Sequence, residues 1–306
     1  MAKRKKKLPE KDPAQALYDA LTAQGVQEAR AHTTPPKRFR ASEASDCRRK
    51  IWHRHNGDRP KPRDATGFVY GILGDVDHDV SRQLLNHHGI PVGGVEFDPV
   101  TGEATETMFH REEIMVPLGQ REIPITITCR ADGEINTPRG MAVLEIKGMG
   151  FYPYQWLTKA FETDGHDGAL ARVAEKHKSY LYQCQITMAL TGHKLCYLLV
   201  KDRSTGTLGL HNKETGERSG IYIEFDQELY DEILQRFAYV KKKTEDGEPP
   251  VAEFADGSFN CNYCDFHYRC HGAAQRRQRG EEPAILYPGP QFEEYTDNEP
   301  VPDPAS

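Results

Sequence analysis

Between Arg121 and Lys147 the chain alternates in a way that admits few folds. Ile123, Ile125, Ile127, Cys129 and Ala131 take turns with Thr126, Thr128, Arg130 and Asp132, the two-residue period of a strand with one buried and one polar face. A break over 136–140 leads into Met141-Ala-Val-Leu-Glu-Ile-Lys147, so the stretch is expected to be a β-hairpin. With a turn on Pro138 and Arg139 that pairs Thr137 with Gly140, counting places Asp132 directly opposite Glu145, their Cβ atoms roughly 5 Å apart. Two like charges that close repel unless a cation lies between them, and a divalent metal is the economical cation. Lys147 lies two residues beyond Glu145, so strand periodicity puts its ammonium on the same face.

That trio suits phosphodiester hydrolysis. Carboxylates hold Mg²⁺ or Mn²⁺, the metal polarises the phosphate and lowers the pKa of a bound water, and the lysine helps place that water and offsets developing negative charge. The plain alternative is a surface hairpin whose charges are merely solvated. Asp-x12-Glu-x-Lys is too common a spacing to decide alone. Two other segments add candidates. Residues 67–88 read as a helix closed by Gly89, in which Gly71 and Gly74 allow a close backbone approach that delivers His78 toward the carboxylates. Asp75, Asp77 and Asp79 are alternative ligands on the same helix. Further on, Tyr180, Gln183 and Gln185 offer phenol and amide groups on one helix, able to hold a phosphate or the attacking water. Their plain reading is as helix-surface polar residues.

The rest of the chain reads as α/β. A basic arm over residues 1–12 precedes a helix from Pro13 to His32 and a Pro-containing joint at 33–37. Residues 148–177 read as an irregular insertion with one or two helices, 179–191 as a buried helix, 194–202 and 220–225 as strands, and 227–243 as a helix. Strand, helix and strand in that order imply a sandwich around a mixed central sheet flanked by helices. The domains expected are 1–35, a basic arm and helix; 36–280, the main domain; and 281–306, an acidic Pro-rich tail with too little apolar surface to fold alone.

The formal charge of −6 hides an asymmetry: residues 281–306 carry seven acidic side chains and no Lys or Arg, which leaves the remainder at +1. No apolar run follows the basic start, so neither membrane insertion nor export is expected, and the cytoplasm is the expected location. Seven cysteines without an export signal are more naturally buried, reactive or metal-bound than paired in disulfides. Cys129, Cys184 and Cys196 fall in apolar patterns and read as packing residues. Cys261, Cys264 and Cys270 form a C-x2-C-x5-C cluster, and Cys47, in a short hydrophilic segment, is the candidate fourth thiol. Four thiolates hold either Zn²⁺ or a [4Fe-4S] cluster, and His267 and His271 also offer a zinc knuckle built from the C-terminal segment alone.

Taken in order, Cys47 with its following basic residues, Gly74-x3-His78, Asp132-Gly, Glu145-Ile-Lys147, the Tyr180/Gln183 helix and Cys261-x2-Cys264-x5-Cys270 resemble the RecB-like iron-sulfur exonucleases of the PD-(D/E)xK type, a family that includes the CRISPR-associated adaptation nuclease and the nuclease domain of AddB. The resemblance runs from about Ser42 to Cys270. It implies a restriction-endonuclease-like core whose N- and C-terminal subregions are stapled by a [4Fe-4S] cluster on Cys47, Cys261, Cys264 and Cys270. It also implies metal ligation by His78, Asp132, Glu145 and the Ile146 carbonyl, a catalytic Lys147, and exonuclease action on single-stranded DNA ends. Recombination or CRISPR adaptation proteins are the partners it suggests, and a phage-encoded member fits it. The helix departs from the family pattern: Gln is usually followed by Tyr one turn later, whereas here Gln185 meets Met188, and the Tyr-x2-Gln-x-Gln of phage-type recombination exonucleases is closer. Because Cys47 precedes the core and the other three cysteines follow it, ligation would close a loop of more than two hundred residues and act structurally.

For DNA binding, Arg38, Arg40, Arg48, Arg49, Lys50 and Arg54, with Trp52 among them, could track a backbone and stack a base. A solvated basic loop explains the same residues, and Lys3 to Lys7 read as a tail aiding nonspecific binding. The competing functions are a zinc-stabilised nucleic-acid-binding protein without catalysis, and an endonuclease on the same core.

Overall fold

The computed structural model describes residues 12–31, 36–97, 104–106, 108–256 and 258–272. Nearly all of the basic arm, most of the joint at 33–37 and the acidic tail lie outside them. In chain order the elements are α1 (Pro13–Ala31), β1 (Phe39–Arg40), α2 (Arg48–His55), α3 (Ala65–His87), β2 (Val92–Gly93), β3 (Val95–Phe97), β4 (Ala104–Glu106), β5 (Phe109–Leu118), β6 (Arg121–Arg130), β7 (Gly133–Thr137), β8 (Gly140–Met149), α4 (Phe151–Lys176), α5 (Lys178–Thr191), β9 (Leu195–Asp202), β10 (Leu210–His211), β11 (Arg218–Ser219), β12 (Ile221–Glu224), α6 (Gln227–Glu245) and α7 (Phe259–Asn262). They divide into two compact units. One takes α1, Cys47–Tyr70 and the chain from Pro249; the other takes Pro36–Asp46 and Gly71–Glu248.

The larger unit is built on a five-stranded mixed sheet in the order β12-β9-β8-β7-β2. Only β8 and β9 run parallel; the other neighbours are antiparallel. Strand β8 is central, and residues 142–146 are all buried. Ala142, Leu144 and Ile146 point to one face, where Leu85 of α3 packs, while Val143 joins residues of α4 and α5 on the other. The hairpin register is the one counted from the turn: Thr137 pairs with Gly140, and the ladder ends at Gly133 with Leu144.

The single hairpin expected over Arg121 to Lys147 is instead divided between two sheets. Strand β6 belongs to a separate three-stranded sheet, β1-β6-β5, and the chain changes sheets at Ala131 and Asp132. Gly133 makes the change feasible: its φ is 151°, and a Cβ there would lie 2.3 Å from Val92 Cγ1 and 2.9 Å from the Gly93 carbonyl oxygen. Alternation of period two runs straight through such a joint and does not reveal it. Strand β5, with its His-Arg-Glu-Glu stretch, pairs along the whole length of β6 yet carries no clear alternation. Helix α6 packs on this sheet, Phe237 stacking on Phe39 with ring centroids 4.5 Å apart.

The expected irregular insertion over 148–177 is also corrected. It is a core helix, α4, with Tyr154, Leu157, Phe161, Ala169 and Val173 buried. The stripe loses phase at Gly165, whose φ of 64° and ψ of −148° interrupt the helix. The Tyr154 hydroxyl fastens the helix by donating to the Gly209 carbonyl at 2.7 Å.

In the smaller unit the basic segment is a helix, α2, that buries Ile51, Trp52 and His53. Lys61 N–H donates to the Asp265 carbonyl at 2.7 Å and the Tyr268 hydroxyl to the Arg59 carbonyl at 2.6 Å, so the cysteine-rich C-terminal segment lies along the loop after α2.

Candidate active site and cysteine group

The larger unit gathers His78, Asp132, Glu145, Lys147, Gln183 and Tyr180. Asp132 sits in the joint between the sheets, 5 % exposed. Its Oδ2 accepts the Ile146 N–H at 2.7 Å, and its Oδ1 lies 2.9 Å from His78 Nδ1. Burial would raise its pKa, but the hydrogen bond and charge of His78, and then Lys147, outweigh burial and hold it below the usual carboxylate value. His78 is shifted upward: burial disfavours its charged form, and the hydrogen bond to Asp132 overcomes that.

Glu145 is 1 % exposed. Its Oε1 accepts from Lys147 Nζ at 2.5 Å and from Gln183 Nε2 at 2.7 Å, while the buried Oε2 has no hydrogen-bond partner among the described residues. Burial, with repulsion from Asp132 added and attraction to Lys147 opposed, pushes Glu145 up to about 7. Lys147 is driven the other way from a typical buried lysine: burial lowers it, but Glu145 and Asp132 raise it above its ordinary value. Its Nζ lies 5.6 Å from the centroid of the Tyr180 ring, which stacks on His177 at 5.3 Å. Burial raises the Tyr180 phenol and keeps it protonated.

The two glutamines separate by role. Gln183 reaches Glu145, whereas Gln185 donates to the Glu224 carbonyl at 2.9 Å and accepts the Asp226 N–H at 2.8 Å, tying α5 to the start of α6. The alternative helix carboxylates are engaged: Asp77 with Lys201 and Arg203, and Asp79 with Arg82. Arg82 is a site residue that sequence reasoning did not single out. It lies one turn after His78, is 2 % exposed, donates to the Asp132 carbonyl at 3.3 Å and stands 3.8 Å from Asp132 Oδ1. Its i+4 spacing from His78 was the available signal.

Among the described residues no three His, Cys, Asp or Glu side chains converge closely enough, as they stand, to hold a metal ion. Asp132 is paired with His78, and Glu145 with Lys147. The orphaned Glu145 Oε2 is the feature that fits a cation, because a buried carboxylate oxygen without a partner is costly.

The four cysteines Cys47, Cys261, Cys264 and Cys270 all lie in the smaller unit. Burial, and then Cys264, Cys47 and Cys261, push the Cys270 thiol up to about 12, with Arg49 opposing; burial also raises Cys264, where Cys47 adds to it and Lys50 opposes. Cys264 and Cys270, each hindered by burial and a neighbouring thiol, suit a donor set that becomes thiolate only when a metal centre takes the charge. His53 Nε2 lies 3.2 Å from Cys270 Sγ, with Asp58 Oδ2 2.8 Å from His53 Nδ1, and His271 Nε2 lies 3.5 Å from Cys261 Sγ. The other three cysteines, Cys129, Cys184 and Cys196, are buried in the larger unit.

The residues expected to bind DNA, Arg48, Arg49, Lys50 and Trp52, all lie on α2. Trp52 is 7 % exposed and packs edge-on against His53 at 5.1 Å, leaving no open face for a base. Arg48 pairs with Glu253 at 2.8 Å, Arg49 donates to the Pro250 carbonyl at 2.7 Å, and Lys50 also has a partner.

No protein-family model and no curated protein matches the chain. Among solved structures, it aligns with the crystal structure of SSO0001 at 15 % identity and a TM-score of 0.43, covering 82 % of this chain and 95 % of that one. It also aligns with LHK-Exo in complex with dAMP at 14 % identity and a TM-score of 0.38, covering 76 % and 93 %. A further structure of this enzyme, described as an alkaline exonuclease from Laribacter hongkongensis, aligns at 13 % identity and a TM-score of 0.33 over the same shares. At these scores the likenesses assign neither fold nor activity. Among the described residues no helix is long and apolar enough to cross a membrane.

Proposed function

We propose that the chain is a metal-dependent DNA nuclease of the PD-(D/E)xK type that degrades single-stranded DNA from its ends, with a structural [4Fe-4S] cluster on Cys47, Cys261, Cys264 and Cys270. The observation that carries the catalytic reading is the buried Glu145. One of its oxygens is held by Lys147 and Gln183 while the other is orphaned, beside an Asp132 fixed by His78 and the Ile146 N–H.

Asp132 and Glu145, with His78 and the Ile146 carbonyl, would hold Mg²⁺ or Mn²⁺, which when bound polarises the phosphate and offsets its charge. The chain's own groups do the remainder. Lys147, kept protonated by the two carboxylates, faces the negative charge that develops on the phosphoryl oxygens. Gln183 fixes the orientation of Glu145 without competing for a cation. The Tyr180 phenol, beside Lys147, is a neutral donor for a phosphate oxygen.

The test is a time course on end-labelled single-stranded and duplex DNA with Mn²⁺, run beside Glu145→Ala and Lys147→Ala. The expected result is stepwise loss of the label from single strands by the wild type and no degradation by either variant. Full activity in both variants would refute the site, and cutting of covalently closed circles would make the enzyme an endonuclease. A second reading, zinc-stabilised nucleic-acid binding without catalysis, draws on the approach of His271 to Cys261. Brown protein from anaerobic purification favours the cluster, and colourless protein with stoichiometric zinc favours the alternative.

A further inference from the structure

Beyond the carboxylates, the larger unit exposes a group of aromatic rings where an apolar surface has no packing role. Strand β8 carries Glu145 and Lys147 and ends at Met149; α4 begins two residues later with Phe151 and Tyr152, and Trp156 follows one turn on. Phe151 is 47 % exposed, Tyr152 69 % and Trp156 51 %. The buried face of α4 is formed by Tyr154, Leu157, Thr158 and Phe161, so these three rings sit outside the core stripe. They touch one another: Phe151 and Tyr152 lie 5.4 Å apart edge to face, and Tyr152 and Trp156 lie 6.5 Å apart and tilted by 34°.

Cations frame the rings. The Arg172 guanidinium lies 5.6 Å from the Trp156 ring centroid, sharing its charge with Glu175 at 2.9 Å, and Lys159 is exposed three residues beyond Trp156. Tyr152 lies five residues after Lys147, so their Cα atoms are within roughly 18 Å of each other. That is about five base steps along a stacked strand at most. Exposed aromatic faces interleaved with cations suit an unpaired strand, since every base has a π-face and every step a phosphate, whereas a duplex hides its base faces. They are also poorly suited to a purely polar or purely apolar ligand.

We infer that Phe151, Tyr152 and Trp156, with Lys159 and Arg172, form a stacking platform that grips the bases of a single-stranded nucleic acid beside the Glu145–Lys147 site. The inference deepens the nuclease reading by assigning its strand selection to the platform, and it rests on that reading only for the direction in which the strand is fed.

The chain has two tryptophans, and Trp52 is buried, so its emission is an internal reference while Trp156 reports the platform. The full-length protein in chelator is titrated with an oligo-dT of twenty nucleotides and with a blunt duplex of equal length, following intrinsic tryptophan emission and, with labelled strands, anisotropy. The expected result is quenching by the single strand and little by the duplex. Tyr152→Ala should weaken single-strand binding at least about fivefold. Trp156→Phe should retain binding with no quench, and Trp156→Ala should lose both. Emission unchanged at saturating single strand, or unaltered affinity in Tyr152→Ala and Trp156→Ala, overturns the platform. A concentration-dependent doubling of mass that protects Trp156 would overturn it in favour of a second copy. Failure of the catalytic reading registers separately, as an intact end-labelled strand after incubation of the wild type with Mn²⁺, whatever Trp156 does.

Discussion

Glu145 and the two glutamines show how differently similar side chains behave once placed. Gln183→Ala removes a donor to Glu145 at a half-buried site, so nuclease activity should fall by one to two orders of magnitude, roughly the scale of a lost positioning contact, with little change in the unfolding midpoint. Gln185→Ala should do the reverse. It strips partners from the Glu224 carbonyl and the Asp226 N–H, at a cost of about 2 kcal/mol in urea unfolding, while leaving the catalytic groups in place; equal effects of the two variants would erase the distinction. A pH prediction attaches to Glu145 itself. Its pKa rises from 4.5 to about 7 on folding, so the native state holds this proton more tightly than the unfolded chain. Its contribution to stability is therefore full below pH 4.5 and is lost as pH rises through 7, on the order of 3 kcal/mol. In chelator, the unfolding free energy of the wild type relative to Glu145→Gln should fall by that amount between pH 4.5 and 8, and a flat difference would mean a solvated carboxyl. The register from Thr137 with Gly140 to Gly133 with Leu144 was legible because a two-residue turn fixes register by counting, and the ladder stops one residue short of Asp132 and Glu145. The choice of Gln183 over Gln185 was not, since both face inward on one helix and only the tertiary partners separate them.

At the level of elements, α3 is held to the sheet by one buried acid. Asp77 Oδ1 lies 2.8 Å from Lys201 Nζ and Oδ2 lies 2.7 Å from Arg203 Nε, both on or just past β9. Burial would raise Asp77, but Lys201 and Arg203 hold it below its ordinary value. Its stabilisation is thus present above pH 3.8 and lost as pH falls through the depressed native pKa. The bridge needs Gly148: a Cβ there would lie 2.3 Å from Asp77 Oδ2 and 2.5 Å from Arg203 Nε. Asp77→Ala should cost about 3 kcal/mol by leaving two cations unpaired. Gly148→Ala should cost less, about 1 to 2 kcal/mol, because the side chains it meets can move. Both should lower affinity for Mn²⁺ by loosening His78, the next residue on α3, and calorimetric Mn²⁺ titration showing wild-type affinity in Asp77→Ala would rule that coupling out. Periodicity exposed α3, α5, α6, β8 and β9 to within a residue or two at each end. It failed where a local signal was interrupted or absent: at Gly165, which shifts the phase of α4; at Ala131 and Asp132, where alternation crosses between sheets; and at β5, whose charged edge hides a strand.

Across the whole molecule, the chain leaves the smaller unit at Tyr70 and returns to it at Pro249, with the proposed catalytic residues on the excursion. The four cysteines sit on the two sides of that excursion, Cys47 before it and Cys261, Cys264 and Cys270 after it. A cluster bound by all four therefore closes a loop of more than two hundred residues, and the corresponding loss of unfolded-state freedom, by analogy with a covalent cross-link, is about 5 kcal/mol. Against it stands the ionisation of Cys264 and Cys270, which burial and neighbouring thiols hold protonated, Cys270 up to about 12, so a bound centre would have to supply that energy as well. Loss of the proposed cluster should then unfold the smaller unit before the sheet of the larger one, whose core owes nothing to the cysteines at either end of the excursion. Cys264→Ala should give protein depleted of metal, with a first melting transition lowered by 10 °C or more, on the order expected for several kcal/mol in a small domain. Hydrogen exchange should show lost protection over α2 and the C-terminal segment and retained protection in β8 and β9. A variant that melts like the wild type and keeps α2 protected would show that packing around Ile51, Trp52 and Phe266 holds the unit together without the centre.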